Sequence, residues 1–288
     1  MPDVRKEKSL TATMTGDRFA LITGASSGIG ACFARALADR GRALVLVARS
    51  KGKLEALQAE LATGRSVRIK VIEQDLSAPG AAARLATILQ ERGIVVDLLV
   101  NNAGFGAQGE FHKLPLDRQS EMLRLNVVAL TELTRLLLPA MVAQGSGGII
   151  NISSTASFQP VPYTSVYAAT KAYVTSFSMG LAEEVGRYGV KVLALCPGGT
   201  ATNFFDASQF SMREFPGGLQ SPEEVVELGL RSLERGRSLA VPRFINRLTI
   251  FAQRLAPRRL VAQQAGDMFR QSDPPPRGDR RGGSGGTG

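Results

Sequence analysis

Tyr167 and Lys171 stand at positions i and i+4 of the run Tyr-Ala-Ala-Thr-Lys. On a helix, those two side chains share one face. A free tyrosine, with a pKa of about 10, is a poor acid or base near neutrality. A lysine charge about 4 Å away, at an effective dielectric near 20, favours the phenolate by up to ~4 kcal/mol before solvent screening. The pair is therefore a candidate proton donor and acceptor at working pH. Ser154 follows an apolar run directly. A hydroxyl there can hold the oxygen of a carbonyl or alcohol while Tyr167 gives or takes its proton. Alone, this spacing is common on solvated helices, so its meaning depends on the rest of the chain.

The first apolar run, residues 19–23, leads straight into Gly24-Ala25-Ser26-Ser27-Gly28-Ile29-Gly30 and then a helical pattern. Strand, glycine turn and helix start make an anion site, because backbone N–H groups and the helix dipole point at a phosphate that glycines let approach. Gly24, Ser26, Ser27, Gly28, Ile29 and Gly30 are thus candidate cofactor contacts. The spacing differs from the general G-x-G-x-x-G fingerprint. It also fits the G-x-S-x-G nucleophile elbow, which needs a histidine base later in the chain. The one histidine is His112, in a polar loop, and the elbow reading fails for want of a base. The second strand ends Val47-Ala48-Arg49-Ser50-Lys51. An acid at this end of a Rossmann half binds the ribose 2′-OH of NAD, whereas an arginine pairs with the 2′-phosphate of NADP. No acid lies in residues 48–53, and Arg49 with Lys51 or Lys53 supplies positive charge. NADP(H) is expected over NAD(H).

These groups need a frame. Apolar runs at 19–23, 43–47, 67–73, 97–101, 148–153 and 190–196 read as buried strands, with a short one near 239–241. Segments 29–40, 52–61, 81–92, 117–144, 165–188 and 222–235 carry helical spacing, the last with Ser221 as N-cap. Near-continuous apolar strands alternating with helices predict an α/β fold, a doubly wound parallel sheet of Rossmann type, in one domain over residues 19–242. Residues 1–18 read as a flexible extension without the apolar core of a secretory signal, Met14 being an alternative start. Residues 203–218, holding Phe204, Phe205, Phe210 and Phe215, read as a substrate lid, with Phe158 adding to the same wall. Residues 243–270 read as a basic amphipathic helical extension broken at Pro257. It either caps the cleft, the favoured reading, or touches a membrane surface. Residues 271–288 read as a disordered tail.

Composition narrows the classes. The 288 residues, 44% hydrophobic, suit one sizeable core. No run is expected to reach the ~18–20 apolar residues that span a bilayer. Two cysteines, Cys32 and Cys196, suggest reduced thiols in the cytoplasm. No Cys/His cluster has metal-ligand spacing. The net charge of +10 invites a nucleic-acid reading, but residues 241–288 hold nine arginines against three aspartates, and no groove-reading element is evident.

Over about residues 19–241 the sequence resembles the short-chain dehydrogenase/reductase family. The matches run in the family's order. Thr23–Gly30 looks like its glycine motif, and Asp75-Leu76 resembles its adenine-contacting acid. Asn101-Asn102-Ala103-Gly104 is similar to its NNAG motif. Asn126, Ser154, Tyr167 and Lys171 fall where the family has its active-site asparagine, serine, tyrosine and lysine. Pro197-Gly198, Thr200 and Thr202 resemble the segment contacting the nicotinamide carboxamide; Gly199-Thr200 departs from the apolar residue more usual there. The resemblance implies hydride transfer between NADP(H) and a carbonyl or secondary alcohol. Tyr167 would be the proton donor, Ser154 would orient the carbonyl, and Asn126 would support a water-linked relay. Lys171 would lower the pKa of Tyr167 and hold the nicotinamide ribose. Cofactor contacts are implied at Asp75, Leu76, Asn101, Ala103, Gly104, Tyr167, Lys171, Pro197, Gly198, Thr200 and Thr202. A small-molecule substrate and a homo-oligomer are implied as partners.

Overall fold

The computed structural model describes residues 18–202 and 218–270. The expected extension (save Arg18), the tail 271–288, and the lid with Phe204, Phe205, Phe210 and Phe215 (save Gly218) lie outside the described residues.

Seven strands form one sheet: β1 (Arg18–Thr23), β2 (Ala43–Ala48), β3 (Ile69–Glu73), β4 (Val95–Asn101), β5 (Gly147–Ile152), β6 (Val190–Leu195) and β7 (Leu239–Ala240). Their order is β3-β2-β1-β4-β5-β6-β7, and every pair is parallel. The helices are α1 (Gly28–Asp39), α2 (Lys51–Ala62), α3 (Ala81–Glu91), α4 (Leu116–Leu123), α5 (Leu130–Gln144), α6 (Ser165–Gly186), α7 (Pro222–Glu234), α8 (Phe244–Leu255) and α9 (Arg258–Phe269).

Side-chain alternation along the strands explains the two-sided core. Ala20, Ile22, Leu44 and Leu46 point to a cluster closed by α1, α2 and α7. Phe19, Leu21, Val45 and Val47 point to the other, closed by α3, α5 and α6. A sheet covered on both faces has no use for polar positions, so its strands read as continuous apolar runs. The expected doubly wound sheet is what forms.

Three local features matter later. First, Ser221 caps α7 as expected, its Oγ accepting from Glu224 N at 3.1 Å, a contribution of about 1 kcal/mol. Second, the helix expected at 117–144 contains a π turn, Arg124–Ala129, between α4 and α5. Contrary to expectation, the stretch Leu116–Gln144, 29 residues, is long and apolar enough by composition to cross a membrane. Here it lies along the sheet and gives Leu133 and Met141 to the core. Third, Tyr163 and Arg243 adopt left-handed φ of 65° and 60°. Such positions cost roughly 1–3 kcal/mol and persist where surrounding structure holds them. Both sit where the chain turns into an element bounding the same cleft, α6 and α8.

Candidate active site

The order of strands reverses between β1 and β4, where crossovers leave in opposite directions. Ligands bind open α/β sheets at such a switch, beyond the C-terminal strand ends. A cavity of about 680 Å³ lies there.

The glycine turn forms its floor. Gly24 and Gly28 have φ of +63° and +55°, which side-chain-bearing residues rarely adopt. A Cβ on Gly24 would come within 2.9 Å of Ala103 Cα, and one on Gly30 within 2.4 Å of Gly24 O. Asn102 Nδ2 donates to Thr23 O at 2.9 Å and to Gly24 O at 3.2 Å, clamping the turn to the end of β4. Gly24, Ser26, Ser27, Gly28 and Ile29 line the cavity. Gly30 does not; it lies beneath the turn and lets the helix pack on it. The N-cap Ser27 makes no side-chain cap bond, so it leaves the first N–H groups of α1 to another acceptor.

Besides Gly30, a second expected contact is corrected. Asn101 is buried and does not line the cavity. Its Nδ2 donates to Thr134 Oγ1 at 3.1 Å and Asn151 Oδ1 at 2.9 Å, and Asn151 in turn donates to Ser178 Oγ at 2.9 Å. Successive residues at a strand end face opposite ways, so Asn102 reaches the turn and Asn101 ties α5 and α6 to the sheet. Ala103 and Gly104 do line the cavity.

At the adenosine end, Arg49, Lys53, Asp75 and Leu76 line the wall. Lys51 instead faces Glu55 at 3.7 Å. Arg49 Nη1 lies 3.4 Å from Glu121 Oε1 in a largely exposed pair, worth little and readily exchanged for a phosphate. Burial raises the Asp75 carboxyl, but two Ser77 hydrogen bonds and the Arg49 charge outweigh it, leaving the group below its ordinary value. Asp75 is therefore ionised and shapes the turn into α3.

Of the four catalytic candidates, Ser154, Tyr167 and Lys171 line the cavity together, and Asn126 lies behind its wall. Ser154 Oγ accepts from Ala156 N at 3.1 Å, which fixes its direction, and bonds the Tyr167 side chain. Burial pushes the Tyr167 phenol up to about 12, partly offset by Ser154. Lys171 Nζ donates to Ile152 O at 2.8 Å and sits 5.7 Å from the Tyr167 ring centroid. Burial pushes Lys171 down to about 8. With the ammonium turned to a carbonyl, the cleft alone keeps Tyr167 protonated, the form that donates. The expected lowering by Lys171 is not expressed in this arrangement.

Asn126 is buried within the π turn. Its Nδ2 donates to Phe105 O at 2.9 Å and Thr170 Oγ1 at 3.1 Å, and its Oδ1 accepts from Phe105 N at 3.2 Å. Both amide protons are spent on pinning the loop after β4 to α6. Beyond β6, Pro197, Gly198, Thr200 and Thr202 line the cavity. Gly199 and Ala201 bond the backbone of Gln220, closing this segment across the chain.

Several functional residues escaped the sequence reading. Phe105, Val161, Ile250, Met268 and Phe269 are apolar wall residues of the cavity that also holds Ser154 and Tyr167. Arg118 stacks over Phe105, its guanidinium 3.7 Å from the ring centroid. The expected Phe158 is not on the wall; Ala156 and Gln159 are. Gln220 and Gln253 line the cavity, and each has a buried Oε1 without a hydrogen-bond partner among the described residues. His112 is exposed beside Glu110, as expected of a loop histidine. A dinucleotide fits what is present: unspent N–H groups over a glycine cradle, cationic groups at one end, and orphan amide acceptors at the other.

Comparison with known proteins agrees with this geometry. A family model described as short chain dehydrogenase matches residues 18–211. A very-long-chain 3-oxoacyl-CoA reductase of Bos taurus is 36% identical over 188 residues, 64% of this chain and 60% of that protein. A short-chain dehydrogenase from Sphingobium yanoikuyae, solved with NADPH, is 32% identical with a TM-score of 0.74, covering 91% of this chain and 99% of that one. The bulky-bulky ketone specific alcohol dehydrogenase from Comamonas testosteroni is also 32% identical, with a TM-score of 0.71 over 89% and 96% of the two chains. The family match spans the glycine turn, the Ser–Tyr–Lys group and the first six strands of the sheet that positions them, and this chain belongs to the short-chain dehydrogenase family of oxidoreductases.

Proposed function

We propose that the protein is an NADPH-dependent reductase of lipophilic ketones. The observation that carries this reading is that Phe105, Val161, Ile250, Met268 and Phe269 line the same cavity as the Ser154–Tyr167 pair. The related reductase acts on 3-oxoacyl chains and the related alcohol dehydrogenase on bulky ketones, by their names. Both support an apolar substrate.

The nicotinamide supplies the hydride when bound. The chain does the rest. Ser154 and Tyr167 converge on one point, where a carbonyl oxygen accepts from both hydroxyls. Tyr167 then releases its proton to that oxygen. Lys171, held on Ile152 O before substrate binds, must turn toward the phenol to stabilise it as it becomes anionic. Asn126 fixes the loop that bounds the opposite side. The apolar wall excludes water, which strengthens each of these interactions.

The cofactor preference rests on Arg49 and Lys53, with no acid between 48 and 53. Arg49→Asp should shift the NADPH-to-NADH ratio of kcat/KM toward NADH by about 10–100-fold, the worth of a charge-assisted hydrogen bond. Steady-state kinetics with both cofactors check this, and an unchanged ratio would assign the phosphate to Lys53. The two free, buried thiols support a cytoplasmic location. Leu136, Tyr173 and Met179, exposed on α5 and α6, support pairing with a second copy of the chain.

Methyl ketones of increasing alkyl length test the substrate reading. Each buried methylene contributes about 0.8 kcal/mol, so kcat/KM should climb roughly fourfold per added carbon until the wall is filled. Met268→Ala and Ile250→Ala should flatten the climb. A flat or falling series in the native protein rejects it.

A further inference from the structure

The penultimate described helix, α8, is built inside out. At about 100° per residue, Phe244, Leu248, Phe251 and Leu255 fall within about 60° of one another, and Asn246, Ile250 and Gln253 fall opposite. A helix on a globular body normally turns its apolar stripe inward. Here the mainly polar side is the inner one: Asn246, Ile250 and Gln253 line the cleft, and Asn246 lies over Gly198. The apolar stripe faces out, with Phe244 70%, Phe251 59% and Leu255 77% exposed. No residue of α8 is buried. Leu260, the first large apolar residue of α9, extends the same exposure.

Charge accompanies the stripe. Residues 242–264 hold five arginines and no acid. Arg243 bonds Gly218 O and Leu219 O and pairs with Glu224. Arg247 and Arg254 project along one flank of the stripe, and Arg258 and Arg259 open α9. Arg254, Arg258 and Arg259 make no ion pair among the described residues. Cations flanking exposed phenylalanine and leucine suit an anionic lipid surface, where rings enter the acyl boundary and guanidinium groups meet phosphates.

We propose that α8 and the start of α9 dock the protein on anionic membrane surfaces, with the cleft wall carried on the docked helix. One helix then touches lipid on its outer side and substrate on its inner side. Docking follows from α8 and the start of α9; delivery of substrate from the bilayer rests additionally on the lipophilic-ketone reading.

Flotation of the full chain with vesicles tests docking without any activity measurement. Vesicles of phosphatidylcholine mixed with phosphatidylglycerol should carry at least tenfold more protein than phosphatidylcholine alone, with added salt reducing the excess. The double variant Leu248→Gln, Phe251→Gln should lose at least tenfold of that binding, with circular dichroism and NADPH affinity unchanged. Arg254→Gln with Arg258→Gln should remove the anionic preference. Equal, weak binding to both vesicle types overturns the proposal, as does undiminished flotation of the double variant. Two other results would also overturn it by naming a different occupant. A fall in sedimentation mass in the double variant, without vesicle binding by the native chain, assigns the stripe to a second copy. Slow hydrogen exchange across α8 in the vesicle-free native chain, lost in a chain with Phe204 and Phe205 changed to Gln, assigns it to residues 203–217. If docking holds but the alkyl-length series is flat, the substrate reading alone fails.

Discussion

Tyr167→Phe is expected to lower the hydride-transfer rate by roughly 10²–10⁴-fold, the usual contribution of a positioned acid. The ring and its packing are kept, and only the hydroxyl is lost. NADPH affinity should therefore change little, and the loss should fall on kcat. Single-turnover rates and fluorescence titration of NADPH separate the two effects. Near-native turnover in the variant would overturn the mechanism. The pH dependence carries the same assignment. Burial holds the phenol up at about 12, so it is protonated at neutral pH and ready for reduction. Alcohol oxidation needs the phenolate and should accelerate as pH rises above neutrality, whereas carbonyl reduction should not. The phenylalanine variant should lose that divergence.

Gly30→Ala is expected to be nearly as damaging, through a different cause. The new Cβ would stand 2.4 Å from Gly24 O, and Asn102 Nδ2 lies 2.5 Å from the same point. Neither is the free end of a flexible side chain, since the amide is itself bound to Thr23 O and Gly24 O. The turn must move off the helix. Overpacking of this kind costs about 1–3 kcal/mol of stability. A turn displaced by about 1 Å no longer presents its N–H groups, and a loss on the order of 10²-fold in NADPH affinity follows. Isothermal titration and thermal melting measure both. A variant that binds NADPH normally would show that the turn tolerates displacement.

Much of this fold could be read in advance because its strands are buried on both faces. Runs such as Ala-Leu-Val-Leu-Val at β2 leave no room for another assignment. The glycine turn was readable because its chemistry is local. What could not be read depends on which way a side chain points or on contacts between distant segments. Asn101 and Asn102 are identical letters, yet one clamps the turn and the other ties helices to the sheet. Lys51 and Lys53 looked equivalent, and only Lys53 faces the cleft. The π turn leaves no composition signal, because every residue of Arg124–Ala129 is also at home in an α-helix. Asn126 was found by its motif, but its hydrogen bonds to Phe105 and Thr170 join parts of the chain no local pattern connects. The apolar wall was sought in residues 203–218 and Phe158. The described wall comes instead from the loops after β4 and β5 and from α8 and α9, segments far apart in the chain.

That separation divides the labour of the cavity. The glycine turn and the Ser154, Tyr167 and Lys171 group lie within residues 18–202, while Ile250, Met268 and Phe269 come from the last two helices. Part of the apolar wall is thus carried on a segment separate from the reacting groups. Exchanging the last helices would rewrite selectivity while leaving the hydride chemistry standing, so the molecule is a fixed engine with a replaceable inlet.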